Sequence, residues 1–271
     1  MKIKNTIFLF CFLLLLNGTV VIAQEASPKM PAAVIVLCDV SNSITLPPKG
    51  FTSRINEMKT MCKQLLRHYP HDSKISFYLI SSNAVFVPFV EFNASIVKQR
   101  SSYKVREELN QKEIDIDSKI DQAVKTAEKQ SCILTSVENA LDIFAAESNQ
   151  SNIGLKNELI IFSDLLEQCR NTSIGKIWMN DKEGPLLTKE ELTRLNTYKH
   201  KNTWKNLQVH IRVINTSAMM YPAKKNNIQS AWSIIFSRMG FAQQQIPFLA
   251  YQNFEPNPSY IKKYELRNAK F

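Results

Sequence analysis

Two stretches of this chain are almost uninterrupted in their apolar character, and they constrain its fold more than any other feature. Ala32 to Leu37 reads Ala-Ala-Val-Ile-Val-Leu, and Glu158 to Phe162 reads Glu-Leu-Ile-Ile-Phe. A strand with one wet face alternates polar and apolar residues. A run that is apolar at successive positions is buried on both faces, as in a parallel sheet covered by helices. Helical patterns surround these runs. Over about 52–68, Ile55, Met58, Met61, Cys62 and Leu65 share a face until Pro70 stops the pattern. Val137, Leu141 and Phe144 mark another helix after Thr135. Ile228, Ala231, Trp232, Ile235 and Met239 mark a last one, with Gly240 as its C-cap. Further strands are expected at Ile75–Ser81 and at Val85–Phe92, where Pro88 points to a sheet edge. Leu207 to Val213 alternates as a half-exposed strand, and 246–249 has room for a short final one. The pattern predicts an α/β fold: a doubly wound, mostly parallel sheet, with helices on both faces and one antiparallel edge strand.

Between these elements lie two segments of different character. Residues 101–130 are charged, and Val105, Leu109, Ile116, Ile120 and Val124 keep near-helical spacing, so they are expected as a helical insertion of one or two surface helices. Residues 165–205 form a long insertion in which Thr188 and Glu191 read as a capping box for a helix to about 198. The domain is therefore placed at 32–245, after a linker at 24–31 and before a C-terminal extension at 246–271.

Residues 1–23 read as a signal peptide. Lys2 and Lys4 form a basic start, Ile7 to Leu16 is apolar throughout, and Val21-Ile22-Ala23 suits cleavage. The run is short against the roughly 20 residues of a membrane span, although an uncleaved anchor is the competing reading. Cys11 lacks the small-residue box of a lipoprotein. Cleavage leaves a secreted or periplasmic chain of roughly 250 residues, the upper size of a single core. The formal net charge is +10, of which two lysines leave with the signal. This charge reads either as a lysine-rich solvated surface or as attraction to acidic partners. Nucleic acid is not expected as a partner: nothing interleaves aromatic and basic residues in a binding motif.

Composition then removes whole classes of chemistry. The chain has only six glycines and four histidines in 271 residues, and no two glycines lie close together. No dinucleotide fingerprint, Walker loop, G-x-S-x-G elbow or H-E-x-x-H helix is present, and no small-molecule substrate is expected. Cys38, Cys62, Cys132 and Cys169 follow the signal, contain no C-x-x-C, and allow three disulfide connectivities. His68 and His71 flank Pro70 in a turn and read as surface residues. Trp178, Trp204 and Trp232 read as packing residues, and the basic cluster Lys199, His200, Lys201 and Lys205 as a solvated face.

What remains is built from oxygen. The first apolar run ends in Cys38-Asp39-Val40-Ser41-Asn42-Ser43, and the second in Ser163-Asp164. Ligands of open α/β sheets bind beyond the carboxyl ends of the strands. Asp39, Ser41, Ser43, Thr135 and Asp164 can all meet there. Two carboxylates and three hydroxyls suit a hard divalent cation, Mg²⁺ first, with Mn²⁺ or Ca²⁺ as alternatives. Two carboxylates neutralise one such ion, and neutral hydroxyls leave it able to accept an anionic oxygen from outside.

D-x-S-x-S after a buried strand, a later Thr, and an Asp ending the next buried strand resemble the von Willebrand factor type A family and its metal-ion-dependent adhesion site. The resemblance covers most of 32–240 in element order and is specific at those five positions. It implies metal ligation by Ser41, Ser43 and Thr135, with Asp39 and Asp164 often acting through water. It also implies a protein partner whose Asp or Glu completes the shell, in an adhesive and non-catalytic role. The family often has glycines before the Thr and after the second Asp, where this chain has Cys132-Ile133-Leu134 and Leu165. On this fold Cys132 and Cys169 share the metal-bearing rim and could pair, the alternative being free thiols. Two rivals stand beside this reading. One is a metal-free scaffold of a secreted complex, in which Asp39 and Ser41 only cap a turn. The other is a phosphohydrolase of the haloacid dehalogenase type, which would need a second Asp where this chain has Ser41.

Overall fold

A computed structural model describes residues 32–45, 54–68, 73–80, 86–93, 102–126, 131–150, 156–166, 193, 195, 210–215, 225–241 and 248–249. Strand β1 (Ala32–Asp39) leads through the short helix α1 (Asn42–Thr45) to helix α2 (Ile55–His68) and strand β2 (Lys74–Ile80). Strand β3 (Val90–Asn93), helices α3 (Ser102–Lys125) and α4 (Ile133–Gln150), and strand β4 (Lys156–Ser163) follow. Strand β5 (His210–Asn215), helix α5 (Lys225–Arg238) and the two-residue strand β6 (Phe248–Leu249) complete the order.

The strands form one six-stranded sheet in the order β3-β2-β1-β4-β5-β6. Every pairing is parallel except β2 with β3. The doubly wound α/β architecture with one antiparallel edge strand is thus present. Alternate residues of the central strands feed two cores. Ile35, Leu37, Leu159 and Ile161 pack under α4 and α5, while Val34, Val36, Ile160 and Phe162 pack under α2 and α3. Burial on both faces explains why these two runs are apolar throughout.

Several boundaries differ from the sequence expectation for definite reasons. β3 begins after Pro88, not around it: the Phe89 amide donates to the Phe77 carbonyl at 2.8 Å. Pro88, just before it, has no N–H to give to such a ladder. Of the one or two helices expected over 101–130, the described residues hold one, and the course of the chain accounts for it. An antiparallel β3 delivers the chain to the amino ends of the parallel strands, and α3 carries it back. Helix α3 buries Ile116 and Ile120 beside α2. Lys59 pairs with Asp121 at 2.6 Å, Lys63 with Asp117 at 2.6 Å, and Arg67 with Glu113. Each step of four residues along α2 runs against a step of four along α3, so the two helices are antiparallel. β6 lies beyond 245, in the segment expected as an extension, and pairs with β5.

The C-cap at Gly240 forms as expected. Gly240 has φ 101°, its amide donates to Ser237, and the Phe241 amide donates to Phe236, each at 3.0 Å. Phe241 also meets Phe236 edge-on, the apolar contact that accompanies this motif. The capping box at Thr188, Trp178, Trp204 and the basic cluster at 199–205 lie outside the described residues.

Candidate metal centre

In this strand order the chain turns to one side after β1 and reaches the other side at β4. The crevice between those two carboxyl ends is the topological switch point, where open α/β sheets place their ligands. Asp39 is the last residue of β1, and Asp164 directly follows β4. Cys38 pairs with Phe162 in the parallel register, so Asp39 stands beside Ser163. Asp39 and Asp164 are both fully buried.

Local hydrogen bonds shape the two strand ends alike. Asp39 Oδ1 accepts from the Ser41 amide at 2.9 Å. Asp164 Oδ1 accepts from the Leu166 amide at 3.0 Å, and Ser163 Oγ from the Leu165 amide at 2.8 Å. All three are side chain to the amide two residues on, the turn habit of Asp and Ser. Ser163 then joins the strand ends by donating to Asp39 Oδ2 at 2.7 Å. Sequence reasoning missed Ser163. Its only signal is a hydroxyl just before a strand-ending Asp, and its role depends on the β1–β4 register.

Thr135 is the third residue of α4 and is half-buried. Helix α4 leads into the amino end of β4, so its own first turn lies at the carboxyl ends of the strands. Ser131 Oγ ties that entry to the Asp164 loop by donating to the Leu166 carbonyl at 3.1 Å. Ser43 lies in α1, immediately after Ser41 has accepted the Ile44 and Thr45 amides, each at 3.0 Å. Hydrogen bonds therefore join Asp39 to Ser41 and Ser163, Asp164 follows Ser163 in the chain, and the backbone of Ser43 and the start of α4 lie on the same rim.

The missing glycine after Asp164 has a plain resolution. Leu165 takes φ 63°, and among the described residues it is the one non-glycine with positive φ. Its backbone adopts the left-handed shape that glycine serves without strain, at about 1–2 kcal/mol for an ordinary residue. Its surroundings hold it there. The side chain is fully buried with Leu134, Trp232 and Phe236, and its carbonyl accepts from Trp232 Nε1 at 2.9 Å.

Cys132 is disulfide-bonded, whereas Cys38 and Cys62 are free and buried. Cys169 lies outside the described residues, as does Cys11.

No protein-family model matches this sequence, and no curated protein does either. Among solved structures the chain is similar to proximal thread matrix protein 1 of the mussel byssus, at 14% identity and TM-score 0.44. That match covers 83% of this chain and 45% of the mussel chain. It is also similar to an aerotolerance-related membrane protein from Bacteroides fragilis, at 12% identity and TM-score 0.42, over 89% of this chain and 100% of that one. A third is a von Willebrand factor type A protein from Catenulispora acidiphila, at 11% identity and TM-score 0.40. It is matched over 74% of this chain and 43% of its own.

The donor set fits a hard cation. Burial raises the Asp39 carboxyl above its ordinary 3.8, while the Ser163 hydroxyl and the Ser41 amide and hydroxyl pull it back down. No basic side chain among the described residues contributes to that balance. A buried carboxylate held only by neutral donors gains from a bound cation. Each Asp39 oxygen accepts one protein hydrogen bond in the pairs above, and a carboxylate oxygen can accept two. Among the described residues no three His, Cys, Asp or Glu cluster together, so a cation here would depend on hydroxyls.

Proposed function

We propose that this protein is an exported, non-catalytic binding protein whose β1–β4 crevice takes a divalent cation, Mg²⁺ first with Mn²⁺ or Ca²⁺ as alternatives, and through it a carboxylate of a protein partner. The observation that carries the reading is that buried acids end both β1 and β4 at the switch point, with Asp39 held there by the Ser163 hydroxyl and the other neutral donors. Asp39, Ser41, Ser43, Thr135 and Asp164 would hold the ion. Bound there, the ion would offer an open position to an anionic oxygen. The chain's own residues orient the site: the Ser41 amide and the Ser163 hydroxyl hold Asp39, and strained Leu165 sets the course of the loop after Asp164. Export is supported by the sequence of residues 1–23 and by the disulfide at Cys132. Among the described residues no helix is long and apolar enough to cross a membrane.

The metal-free scaffold has one observation in its favour. Both Asp39 oxygens already serve internal hydrogen bonds, as they would if the residue only shaped the turn. Titration calorimetry with Mg²⁺ and Mn²⁺ decides between the two, alongside partner capture from a native extract with and without chelator. Wild type is expected to bind the ion and to lose its partner on chelation, and Asp39→Ala to do neither. Equal capture in all four conditions leaves the scaffold.

A further inference from the structure

Two thiols lie directly beneath the metal loop. Cys38, the residue before Asp39 in β1, and Cys62 of α2 face each other with Sγ atoms 3.6 Å apart. Both are free, and both are fully buried among Val36, Met58, Met61, Leu65 and Phe162. A disulfide needs sulfurs about 2.0 Å apart, so closure requires an approach of about 1.6 Å. Cys132 is already bonded, and to neither of these two. Of the three connectivities open to the four cysteines that follow the signal, only Cys38–Cys62 with Cys132–Cys169 is compatible with that.

We infer that Cys38 and Cys62 form a disulfide that clamps the end of β1 to α2 and closes a covalent loop around Asp39, Ser41 and Ser43. The bond forms by exchange with the disulfide of a thiol oxidoreductase or of oxidised glutathione. One cysteine thiolate attacks, releasing the first donor sulfur as a thiol. The other then displaces the second from the mixed disulfide. Two electrons and two protons pass to the donor, which leaves as two thiols. Burial confines the exchange to the folding chain, before α2 settles on β1. Afterwards the bond is out of reach of reductant until the core opens. The clamp holds the first half of the proposed cation site in place whether or not an ion is bound. It rests on the exported reading for the oxidant it meets in the cell and for the removal of Cys11 with the signal.

The test needs no metal. The full chain is refolded in a glutathione redox buffer, alkylated under denaturing conditions without reductant, and mapped by mass spectrometry. The Cys38 and Cys62 peptides are expected joined and unlabelled, as is the Cys132 peptide, which reports that oxidation worked. Alkylation of both Cys38 and Cys62 while Cys132 stays protected overturns the inference and leaves the pair as packing. Thermal unfolding gives a second readout. Reduction is expected to lower the melting temperature of wild type about 5–10 °C more than that of Cys62→Ala. Equal shifts overturn the clamp. Loss of metal binding would change neither measurement, so the two readings fail separately.

Discussion

Leu165 holds a conformation its backbone resists for the sake of a side chain the core uses. The two contributions can be separated by mutation. Leu165→Gly relieves about 1 kcal/mol of left-handed strain but removes a fully buried side chain, whose truncation costs about 2–5 kcal/mol. Leu165→Ala loses nearly the same packing and keeps the strain. The expected order of stability in urea unfolding is therefore wild type, then Leu165→Gly, then Leu165→Ala. The glycine variant should fall about 2–3 kcal/mol below wild type. A glycine variant more stable than wild type would show that strain outweighs packing at this turn. The same residue marks a limit of sequence reading. Nothing about a leucine announces positive φ, because the conformation comes from the Ser163 hydroxyl below it and the Trp232 indole above it. Asp39 and Asp164 were legible because acids that end buried apolar runs have few structural excuses. Ser163 was not, because only the strand register puts it opposite Asp39.

At the scale of elements, α3 shows how a charged sequence can still belong to the core. Its three ion pairs with α2 are conspicuous, yet they are partly exposed, and such pairs contribute about 0–1 kcal/mol each. Ile116 and Ile120 are fully buried, and truncating such a residue costs about 2–5 kcal/mol. Packing should therefore dominate the attachment of α3. Ile120→Ala is expected to destabilise the protein by about 2–4 kcal/mol independently of salt. Lys63→Met should cost less than about 1 kcal/mol, and the difference should shrink in high salt as screening removes the pair's advantage. Denaturant melts at low and high ionic strength read both effects, and a larger loss for Lys63→Met would reverse the assignment. The single 24-residue helix was only half legible. Its apolar spacing was visible, but its continuity follows from the antiparallel course of β3. The parallel core was legible because burial on both faces writes itself into consecutive residues. Strand β3 was misplaced by a few residues because Pro88 lies just before the ladder, not inside it.

For the molecule as a whole, the metal reading makes the β1–β4 crevice a place where stability is set aside for binding, and this gives the two functional readings opposite signatures. Burial is the largest influence on Asp39 and raises its carboxyl above 3.8. Such a group favours the folded state less as it ionises. Below about pH 3.8 it is protonated in both folded and unfolded chains and contributes no penalty. As pH rises past that value the unfolded chain ionises first, and the penalty grows until the folded carboxyl has ionised too. Without metal, Asp39→Asn should therefore be at least as stable as wild type at neutral pH, with its advantage vanishing in acid. With Mg²⁺ at about 100 times its dissociation constant, wild type should gain about 2.7 kcal/mol, and Asp39→Asn nothing. Melting temperatures of both proteins, with chelator and with Mg²⁺, read every part of this. If Asp39 only shapes the turn, wild type will not respond to Mg²⁺ at all. That result would return the crevice to architecture and leave its buried acids as caps on two strand ends.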